Sequence, residues 1–390
     1  MVGSMEVDPQ QAAVLRPCPH RPPCPGCPGY GAPLFAGHGY ETLATFASQQ
    51  GVPLQTLGGP ALGYRHRARL AVRGRPGAPK IGVFQLGSHR IVDIPSCGVH
   101  HPSINRVARA LKEVLREHRV PPYWESAGPG RGGRVRYLQV AVGRADGRVQ
   151  VVLVDNGETA AGVEPVLDGL VQRLGQTLYS LHWNGQTAVG NAILGARWAT
   201  WHGPEALREV LGGAQVFFPP GAFAQANMPL FAQVVEHIHA RIPVGARVAE
   251  FYAGTGALGL GLVQRGQVVV CNELGAGSLQ GLHLGRAALP EEAQARLRVA
   301  EGAAEEYVGE IPGADVVVVD PPRKGLDEPV LRALCEQPRP LLVYLSCGLH
   351  TFLRDAQALL RSGYHVQDVW AIDLFPNTGH VETLAFFEHS

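Results

Sequence analysis

Residues 247–259 read Arg-Val-Ala-Glu-Phe-Tyr-Ala-Gly-Thr-Gly-Ala-Leu-Gly, and this stretch decides the fold of the C-terminal half of the chain. Its first six residues, 247–252, are mostly apolar, as is typical of a buried strand. The glycines then match G-x-G-x-x-G ahead of a predicted helix, a spacing that lets the backbone turn sharply and approach a ligand closely. Glu273 ends the next predicted strand about 20 residues on, where a carboxylate accepts two ribose hydroxyls. The stretch therefore predicts a nucleotide-binding strand–turn–helix unit.

The same loop geometry serves dinucleotide dehydrogenases and S-adenosylmethionine enzymes, and a glycine-rich turn without a ligand is the third interpretation. Nothing downstream indicates a nicotinamide pocket. Instead, Asp320-Pro-Pro ends the fourth predicted strand, where many methyltransferases bring the acceptor base to the methyl donor. The two prolines stiffen that turn, although a simple helix start has the same composition. The combination favours the S-adenosylmethionine enzymes.

Regular alternation of strands and helices fills residues 215–390. The runs at 316–319 and 341–345 are apolar throughout, as in strands covered on both faces. We therefore expect an α/β fold, a Rossmann-like class I methyltransferase sheet of about seven strands, with the last two as an antiparallel pair at one edge. The predicted strands are 247–252, 267–273, 295–300, 315–320, 341–346, 365–373 and 383–388.

Two further parts are predicted upstream. Residues 1–60 are rich in Pro and Gly around three cysteines, and such a segment cannot be helical and has few apolar residues to bury. Residues 61–214 alternate β-like runs with helical stretches, which indicates an α+β unit with an antiparallel sheet. Its predicted strands are 69–72, 135–142, 149–154 and 177–183, and its predicted helices are 103–118 and 164–174.

Composition excludes several classes of protein. Of the 390 residues, 45% are apolar and 17% charged, as in an ordinary globular protein. The sequence contains no apolar run long enough to cross a membrane and no secretory signal pattern, so we expect a cytoplasmic chain with no membrane partner. The net charge of +1 favours no partner, but residues 64–80 and 131–136 contain arginines without one acid. These two patches indicate nucleic-acid binding, with solvated strand faces as the alternative.

Cys347 follows the apolar run 341–346 and precedes a predicted helix that begins at His350. Open α/β sheets place their chemistry where strands feed helices. A thiol there is a candidate nucleophile, provided that a neighbouring group lowers its pKa toward neutrality. A lone cysteine at such a position is otherwise a small buried hydrophobe, and Glu382 taken alone is a surface carboxylate.

Six motifs occur in an order that resembles one family. They are Phe-Ala-Gln-Ala-Asn at 223–227, Glu-Phe-Tyr-Ala-Gly-Thr-Gly at 250–256, Asp-Pro-Pro-Arg-Lys-Gly at 320–325, Ser-Cys-Gly at 346–348, Thr-Phe-Leu-Arg-Asp at 351–355 and Phe-Pro-Asn-Thr-Gly-His-Val-Glu at 375–382. Together they resemble the RNA uracil-C5 methyltransferases, which make 5-methyluridine in tRNA and 23S rRNA. The resemblance implies that the Cys347 thiolate adds to C6 of uracil, that C5 takes a methyl group from S-adenosylmethionine, and that Glu382 removes the C5 proton.

The resemblance also implies a set of cofactor contacts. They fall at Gln225, Tyr252, Gly254, Gly256, Ala257, Glu273, Gly302 and Asp320. Three positions depart from the family pattern: Gly348 stands where Asn is frequent, Asn377 where His is frequent, and Gly302 where Asn or Asp is common. The glycine at 302 predicts that one side-chain contact to the cofactor is missing.

Four cysteines form a candidate metal site: Cys18, Cys24, Cys27 and Cys97. Three clustered cysteines with one remote is a common iron–sulfur arrangement, whereas zinc favours two close pairs. A zinc site and unliganded thiols are the alternatives. The resemblance implies a [4Fe–4S] cluster, because the family's rRNA branch carries one with this spacing. We expect it to order the segment and contact RNA.

RNA is the expected partner, 23S rRNA being favoured over tRNA, and a monomer is the expected state. Because only 17 residues precede Cys18, we expect no N-terminal β-barrel RNA-binding domain. Residues 61–214 are expected to dock the RNA through Arg65 and Arg67, with the target uridine splayed toward Cys347. Two other functions stay open: an amino- or cytosine-methyltransferase, since Asp-Pro-Pro also suits an exocyclic amine acceptor that needs no thiol, and a non-enzymatic iron–sulfur RNA-binding protein.

Overall fold

The computed structural model describes residues 17–124 and 132–389. The α-helices are α1 (His38–Gln49), α2 (Pro102–Glu117), α3 (Glu164–Leu174), α4 (Met228–Arg241), α5 (Gly259–Gln264), α6 (Ala276–Ala287), α7 (Glu291–Gln294), α8 (Glu328–Glu336) and α9 (Leu349–Arg361). The strands are β1 (Leu54–Leu57), β2 (Arg67–Arg75), β3 (Ala78–Phe84), β4 (Ile91–Asp93), β5 (Val135–Val142), β6 (Val149–Asp155), β7 (Leu178–Gly185), β8 (Arg197–His202), β9 (Leu207–Leu211), β10 (Ala214–Phe218), β11 (Arg247–Phe251), β12 (Val268–Glu273), β13 (Leu297–Glu301), β14 (Val316–Val319), β15 (Leu341–Ser346), β16 (His365–Phe375) and β17 (His380–Glu388). Two 3-10 turns cover Gly175–Thr177 and Ala304–Glu310.

The larger sheet has eight strands in the order β1-β16-β17-β15-β14-β11-β12-β13. Strands β11 to β15 are parallel, and the four valines of β14 are buried, as the continuous apolar run requires. Strand β17 runs antiparallel to both of its neighbours, β15 and β16. The α/β methyltransferase fold and the seven predicted strands are confirmed. The antiparallel pair is present, but it does not form an edge, because β1 lies outside β16.

The prediction that the first 60 residues cannot be helical is wrong for α1. This helix buries Leu43, Phe46 and Ala47 in the core of the larger sheet, where the ring of Phe46 meets Phe352 edge-on at 5.5 Å. Strand β1 then pairs in parallel with β16. The Pro and Gly of the cysteine-bearing part dominate the composition of this region and conceal an apolar stretch that reaches the sheet. Residues 1–16 of the predicted segment lie outside the described residues.

The second sheet has seven strands in the order β4-β3-β2-β5-β6-β7-β8, with α2 and α3 on one face. All of its neighbouring strands are antiparallel except β6 and β7. The prediction of a purely antiparallel sheet is therefore wrong at one place. Helix α3 connects β6 to β7, and a crossover helix is the connection that parallel neighbours need.

A short hairpin, β9–β10, joins the two sheets and packs into the core beneath the larger one. Helix α6 lies so close to it that a side chain at Gly281 would meet the Phe217 carbonyl oxygen at 2.3 Å. The chain then enters the loop 219–226, which leads to α4. Across the described residues, every helix is too short or too polar to cross a bilayer.

Candidate functional site

The candidate site lies where the parallel strands of the larger sheet end. Glu273 is the last residue of β12, while Asp320 and Cys347 directly follow β14 and β15. Because the carboxyl ends of neighbouring parallel strands meet at one edge, these three side chains share one end of the sheet. The predicted site residues from separate motifs are therefore brought together.

Strand β17 places Glu382 beside Cys347. Ser346 pairs with Thr383 in the antiparallel ladder of β15 and β17, so Cys347 and Glu382 are the next opposed positions. Directly opposed residues of an antiparallel pair project their side chains on the same face. The predicted strand began at residue 383, whereas β17 begins at His380, so Glu382 lies inside the strand and its position is set by the ladder.

Glu382 is a buried carboxyl without a hydrogen-bond partner. Only 1% of its surface is exposed, and neither Oε1 nor Oε2 accepts a hydrogen bond. The imidazole of His380 lies near it, with Nε2 3.8 Å from Oε2, and burial followed by the charge of Arg323 lowers the pKa of that imidazole. Burial, followed by the charge of Asp320, raises the pKa of Glu382 to about 8, while Arg323 opposes the rise. An unpaired buried carboxyl with a pKa near neutrality has the properties of a general base.

The Cys347 thiol is half-buried. From the sequence, a nucleophilic role requires a neighbouring group that lowers the pKa of this thiol toward neutrality, and that requirement is not met here. Burial, then the charges of Glu382 and Asp320, raise its pKa, while Arg323 lowers it. The two carboxyls are thus close enough to act on the thiol electrostatically. Burial raises the pKa of Asp320 to about 7 as well, so near neutral pH both acids are partly protonated and repel a thiolate less than two full charges would.

The glycine-rich turn wraps around the carboxylate of Glu273. Oε2 accepts a hydrogen bond from the Gly254 N–H at 2.8 Å, and Oε1 accepts one from the Gly275 N–H at 2.5 Å. Gly254 and Gly256 have φ angles of +60° and +79°, a region that other residues adopt at a cost. The turn thus fixes a carboxylate whose remaining lone pairs suit ribose hydroxyls.

Tyr252 and Ala257 occupy the two sides of this turn. Tyr252 has a φ of +61°, which is strained for a tyrosine, and its hydroxyl donates to Asp327 Oδ2 at 3.0 Å. The strain places the ring away from the strand, where it packs partly buried against the core. Ala257 is half-buried and packs against the opposite core. Both predicted cofactor residues therefore lie in the turn itself.

Gln225 lies in the loop 219–226, buried next to the start of α4. This loop passes close to α6, because a side chain at Gly277 would meet the Ala222 nitrogen at 3.3 Å. Helix α6 begins three residues after Glu273, so the loop runs alongside the glycine-rich turn. Gln225 is thereby placed on the same side of the sheet as the other predicted residues.

Gly302 has a φ of +149°, which strains any other residue, and a side chain there would have to displace the end of the exposed Glu306 side chain. A Cβ there would lie 2.5 Å from Oε2 of Glu306, an exposed residue in the following 3-10 turn. The Gly302 amide donates to the Glu273 carbonyl, which ties the end of β13 to the end of β12. A carboxylate from Glu306 therefore lies beside the position that lacks a side chain, a feature that the sequence did not reveal.

The four candidate metal-binding cysteines are neighbours but do not form a closed site. Burial and then the thiolates of Cys97, Cys24 and Cys18 raise the pKa of Cys27 to about 11. The N–H groups of Val99 and His100 donate toward the Cys97 sulfur. Over residues 17–124 and 132–389, no three Cys, His, Asp or Glu side chains converge into a metal-binding group. The thiols are therefore close enough to interact, and the predicted cluster is not confirmed.

Most of the described arginines in the two patches donate hydrogen bonds to other groups of the protein. Arg67 donates to the Ala222 carbonyl at 2.5 Å, and Arg65 donates to the Arg67 carbonyl while lying over the Phe375 ring at 5.7 Å. Arg136 is buried and donates to the Gln186 and Ala188 carbonyls. Arg134 pairs with buried Asp155 at 2.7 Å. Arg131 lies outside the described residues. The interpretation of these arginines as a free basic surface is therefore wrong for most of those described.

Two functional groups were given no role from the sequence: Arg323, within a quoted motif, and Asp327, two residues after that motif ends. Arg323 is exposed next to Asp320-Pro-Pro and lowers the pKa of both Cys347 and Glu382. Asp327 holds the hydroxyl of Tyr252, and the exposed Lys324 donates to its other oxygen at 2.5 Å. The position of Arg323 directly after the prolines was the available signal, since that turn faces the site.

Comparison with known proteins identifies the family. A family model described as tRNA (uracil-5-)-methyltransferase matches residues 313–390. A protein of Protochlamydia amoebophila named as an RNA methyltransferase is 32% identical over 380 residues, which cover 95% of this chain and 97% of that protein. Another, from Geobacter sulfurreducens, is 30% identical over 404 aligned positions, covering 97% of this chain and 78% of the relative.

A solved structure supports the fold. The tRNA (uracil-54, C5)-methyltransferase of Pyrococcus abyssi, solved in complex with S-adenosyl-L-homocysteine, superposes with a TM-score of 0.72 at 23% sequence identity, over 89% of this chain and 82% of that one. The near-complete match to the Protochlamydia relative shows an RNA methyltransferase, and the model that matches residues 313–390 carries the uracil-C5 assignment. The chain therefore belongs to the RNA uracil-C5 methyltransferase family, whose members are S-adenosylmethionine-dependent enzymes.

Proposed function

We propose that this enzyme methylates C5 of a uridine through a covalent bond between Cys347 and the base, with Glu382 as the general base. The observation that carries the proposal is the ladder of β15 and β17, which opposes the thiol to a buried carboxyl with two unpaired oxygens. Methylation of an exocyclic amine would not need this pairing. The experiment that tests it is the trapping of the Cys347 adduct, which is argued in the Discussion.

The chemistry requires both side chains in turn. S-adenosylmethionine supplies the electrophilic methyl group. The Cys347 thiolate bonds to C6, and the electron pair of the C5=C6 bond moves onto C5 and O4, so that C5 takes the methyl group. The Glu382 carboxylate then accepts the C5 proton. The C–H electron pair re-forms C5=C6, and the S–C6 bond breaks to return the thiolate.

We further propose where the methyl donor binds. Glu273 would accept the ribose hydroxyls, because two backbone amides already fix its carboxylate. Gly254, Gly256 and Ala257 would lie under the donor. Gln225, Tyr252 and Asp320 would contact the end of the donor that faces Cys347. Beside Gly302, the carboxylate of Glu306 would take the contact that a larger side chain at 302 would make.

For the substrate we propose 23S rRNA, on the spacing of the N-terminal cysteines. A tRNA substrate is the second candidate, because the matching family model and the Pyrococcus abyssi structure are both described as tRNA methyltransferases. Mass mapping of 5-methyluridine in both RNAs, from cells that lack this protein, decides between them. Complementation with the wild-type chain must restore the missing site, and the Cys347→Ala variant must not.

We also propose that Cys18, Cys24, Cys27 and Cys97 hold a [4Fe–4S] cluster. Their mutual influence and the two amides that donate toward the Cys97 sulfur suit thiolate ligands. Anaerobically purified protein is expected to contain about four iron atoms per chain. A Cys97→Ser variant should lose most of that iron and melt at a lower temperature. The matched Cys335→Ser variant, at a half-buried cysteine of α8, should keep it. Retention of zinc instead of iron would overturn the proposal.

We propose that residues 61–214 dock the RNA while residues 215–390 carry the chemistry. The contacts that the arginines make within the protein change which side chains we expect to contribute to RNA binding. Replacement of Arg67 by alanine is expected to lower the free energy of unfolding by about 1–3 kcal/mol, because the buried Ala222 carbonyl loses its donor. The slope of log K against log salt should be unchanged, since a buried guanidinium neutralises no phosphate.

Exposed Lys80 on β3 provides the contrast. Lys80→Ala should leave stability unchanged and make that slope shallower by about 0.7–0.9. Filter binding across a salt series measures both variants. An equal change of slope for Arg67→Ala would show that this arginine contacts RNA.

A further inference from the structure

The turn that connects β16 to β17 is held by two distant parts of the chain. We call residues 375–380 the base turn, because Glu382, the proposed general base, follows this turn by two residues. The Gly29 amide, two residues after Cys27, donates to the Asn377 carbonyl at 2.9 Å. The Asn377 side-chain amide donates to the Ala61 carbonyl at 2.9 Å, and the Tyr64 hydroxyl donates to the Pro376 carbonyl at 3.1 Å.

Asn377 is the residue where these contacts converge. Its backbone oxygen and its side-chain nitrogen each bind a different segment, and its φ of +69° lies in the left-handed region. Asparagine adopts that region more readily than most residues and also provides an amide donor, whereas glycine offers the first property alone. Both requirements are met at a position three residues before His380.

Glu382 depends on this turn for its position. Its carboxyl oxygens accept no hydrogen bond, so its side chain is located only by packing and by the backbone of β17. That strand starts at the base turn, and its ladder with β16 is irregular between Ile372 and Phe375. Glu382, opposite Ile372, is therefore the last paired residue before this irregularity. The contacts to Gly29, Ala61 and Tyr64 supply the constraint that the irregular ladder lacks.

We infer that Asn377 is a positioning residue, which ties the base turn to the cysteine-bearing segment and the 61–65 loop so that Glu382 reaches the C5 proton. The inference rests on the proposed roles of Cys347 and Glu382. It assigns the two earlier segments a part in the last chemical step, separate from binding RNA. Thiolate addition and methyl transfer do not use the carboxylate of Glu382, so they do not depend on this tie.

The variants Asn377→Asp and Asn377→Gly test the inference. Aspartate keeps the shape but has no N–H for the Ala61 carbonyl, while glycine keeps the left-handed backbone and removes the side chain. Both are expected to slow multiple turnover by about 10- to 100-fold, the cost of a displaced catalytic group. Single-turnover transfer of radiolabelled methyl from S-adenosylmethionine into RNA-bound material should keep the wild-type rate. The methylated protein–RNA adduct should therefore accumulate on denaturing gels.

A matched control is Asn191→Asp, at an exposed asparagine of the loop before β8, which should behave as wild type. The inference is overturned if the Asn377 variants lose methyl transfer in proportion to turnover without accumulating adduct, or if turnover is unchanged. If the Asn377 variants are generally destabilised, they will lose methyl transfer in proportion to turnover and also melt at a lower temperature. That outcome also counts against the inference. Failure of the underlying mechanism is separate, since wild-type enzyme would then form no adduct with 5-fluorouridine RNA.

Discussion

Replacement of Cys347 by alanine is expected to reduce methylation by at least about 10⁴-fold, because the uracil C5 cannot attack a methyl group until a nucleophile has added to C6. The side chain is half-buried at the end of β15, so its loss removes little packing. The measurement is incubation with RNA that contains 5-fluorouridine. Fluorine at C5 cannot leave as a proton, so wild-type enzyme should form an adduct that survives denaturation, and Cys347→Ala should form none.

The matched control is Cys335→Ala, a half-buried thiol on α8 that no functional motif contains. It should keep both activity and adduct formation. Peptide mapping must place the modified RNA on Cys347. Normal product formation by Cys347→Ala, or a wild-type enzyme that turns over without any adduct, would contradict the nucleophilic role.

The environment of the thiol predicts that the reactive thiolate forms only when RNA is bound. Burial and the two nearby carboxyls raise the pKa of Cys347 in the free enzyme, so the thiol is protonated at neutral pH. Exposed Arg323 is the group that favours the thiolate. A uracil in the site would change the pKa of the Cys347 thiol, since it excludes water and offers oxygens to neighbouring donors. The free enzyme is thereby protected from oxidation of its nucleophile.

Two strands with mostly apolar residues could be predicted closely from the sequence. The observed bounds of β15 and β5, Leu341–Ser346 and Val135–Val142, agree with the predicted ranges to the residue, because the apolar runs end sharply at polar or glycine residues. The start of β17 could not be predicted. Buried Glu382 and half-buried His380 are strand residues with polar side chains, and the periodicity of hydrophobic residues does not identify them.

Contacts between distant residues set the limit of the sequence analysis. The segment 64–80 looked like a basic surface, yet the partner of Arg67 is a carbonyl 155 residues away. Likewise, the Pro and Gly content of residues 1–60 hid α1, which is stabilised by packing on Phe352 and not by its own propensity. A run of basic residues predicts an exposed surface only where no buried carbonyl accepts hydrogen bonds from their side chains.

The second large effect is expected from Glu382→Gln. A general base contributes about 10²- to 10⁴-fold, so turnover should fall by about 10³-fold, while methyl transfer into the adduct continues. The wild-type carboxyl acts in its ionised form. Because its pKa is about 8, release of product should rise with pH up to about pH 8 and then level off. The variant should lose that rise, and its methylated adduct should accumulate.

Stability changes with pH in the opposite direction. The carboxyl of Glu382 ionises near pH 4.5 when exposed and near 8 in the folded protein. The folded state therefore holds the proton more tightly, and the stability it gives is present below about pH 4.5 and is lost as the pH rises through about 8. Glutamine has no proton to lose, so thermal melts of Glu382→Gln should decline less than wild type over this range. If the variant instead releases product at the wild-type rate, or melts with an unchanged pH dependence, Glu382 is not the buried base that the β15–β17 ladder places beside Cys347.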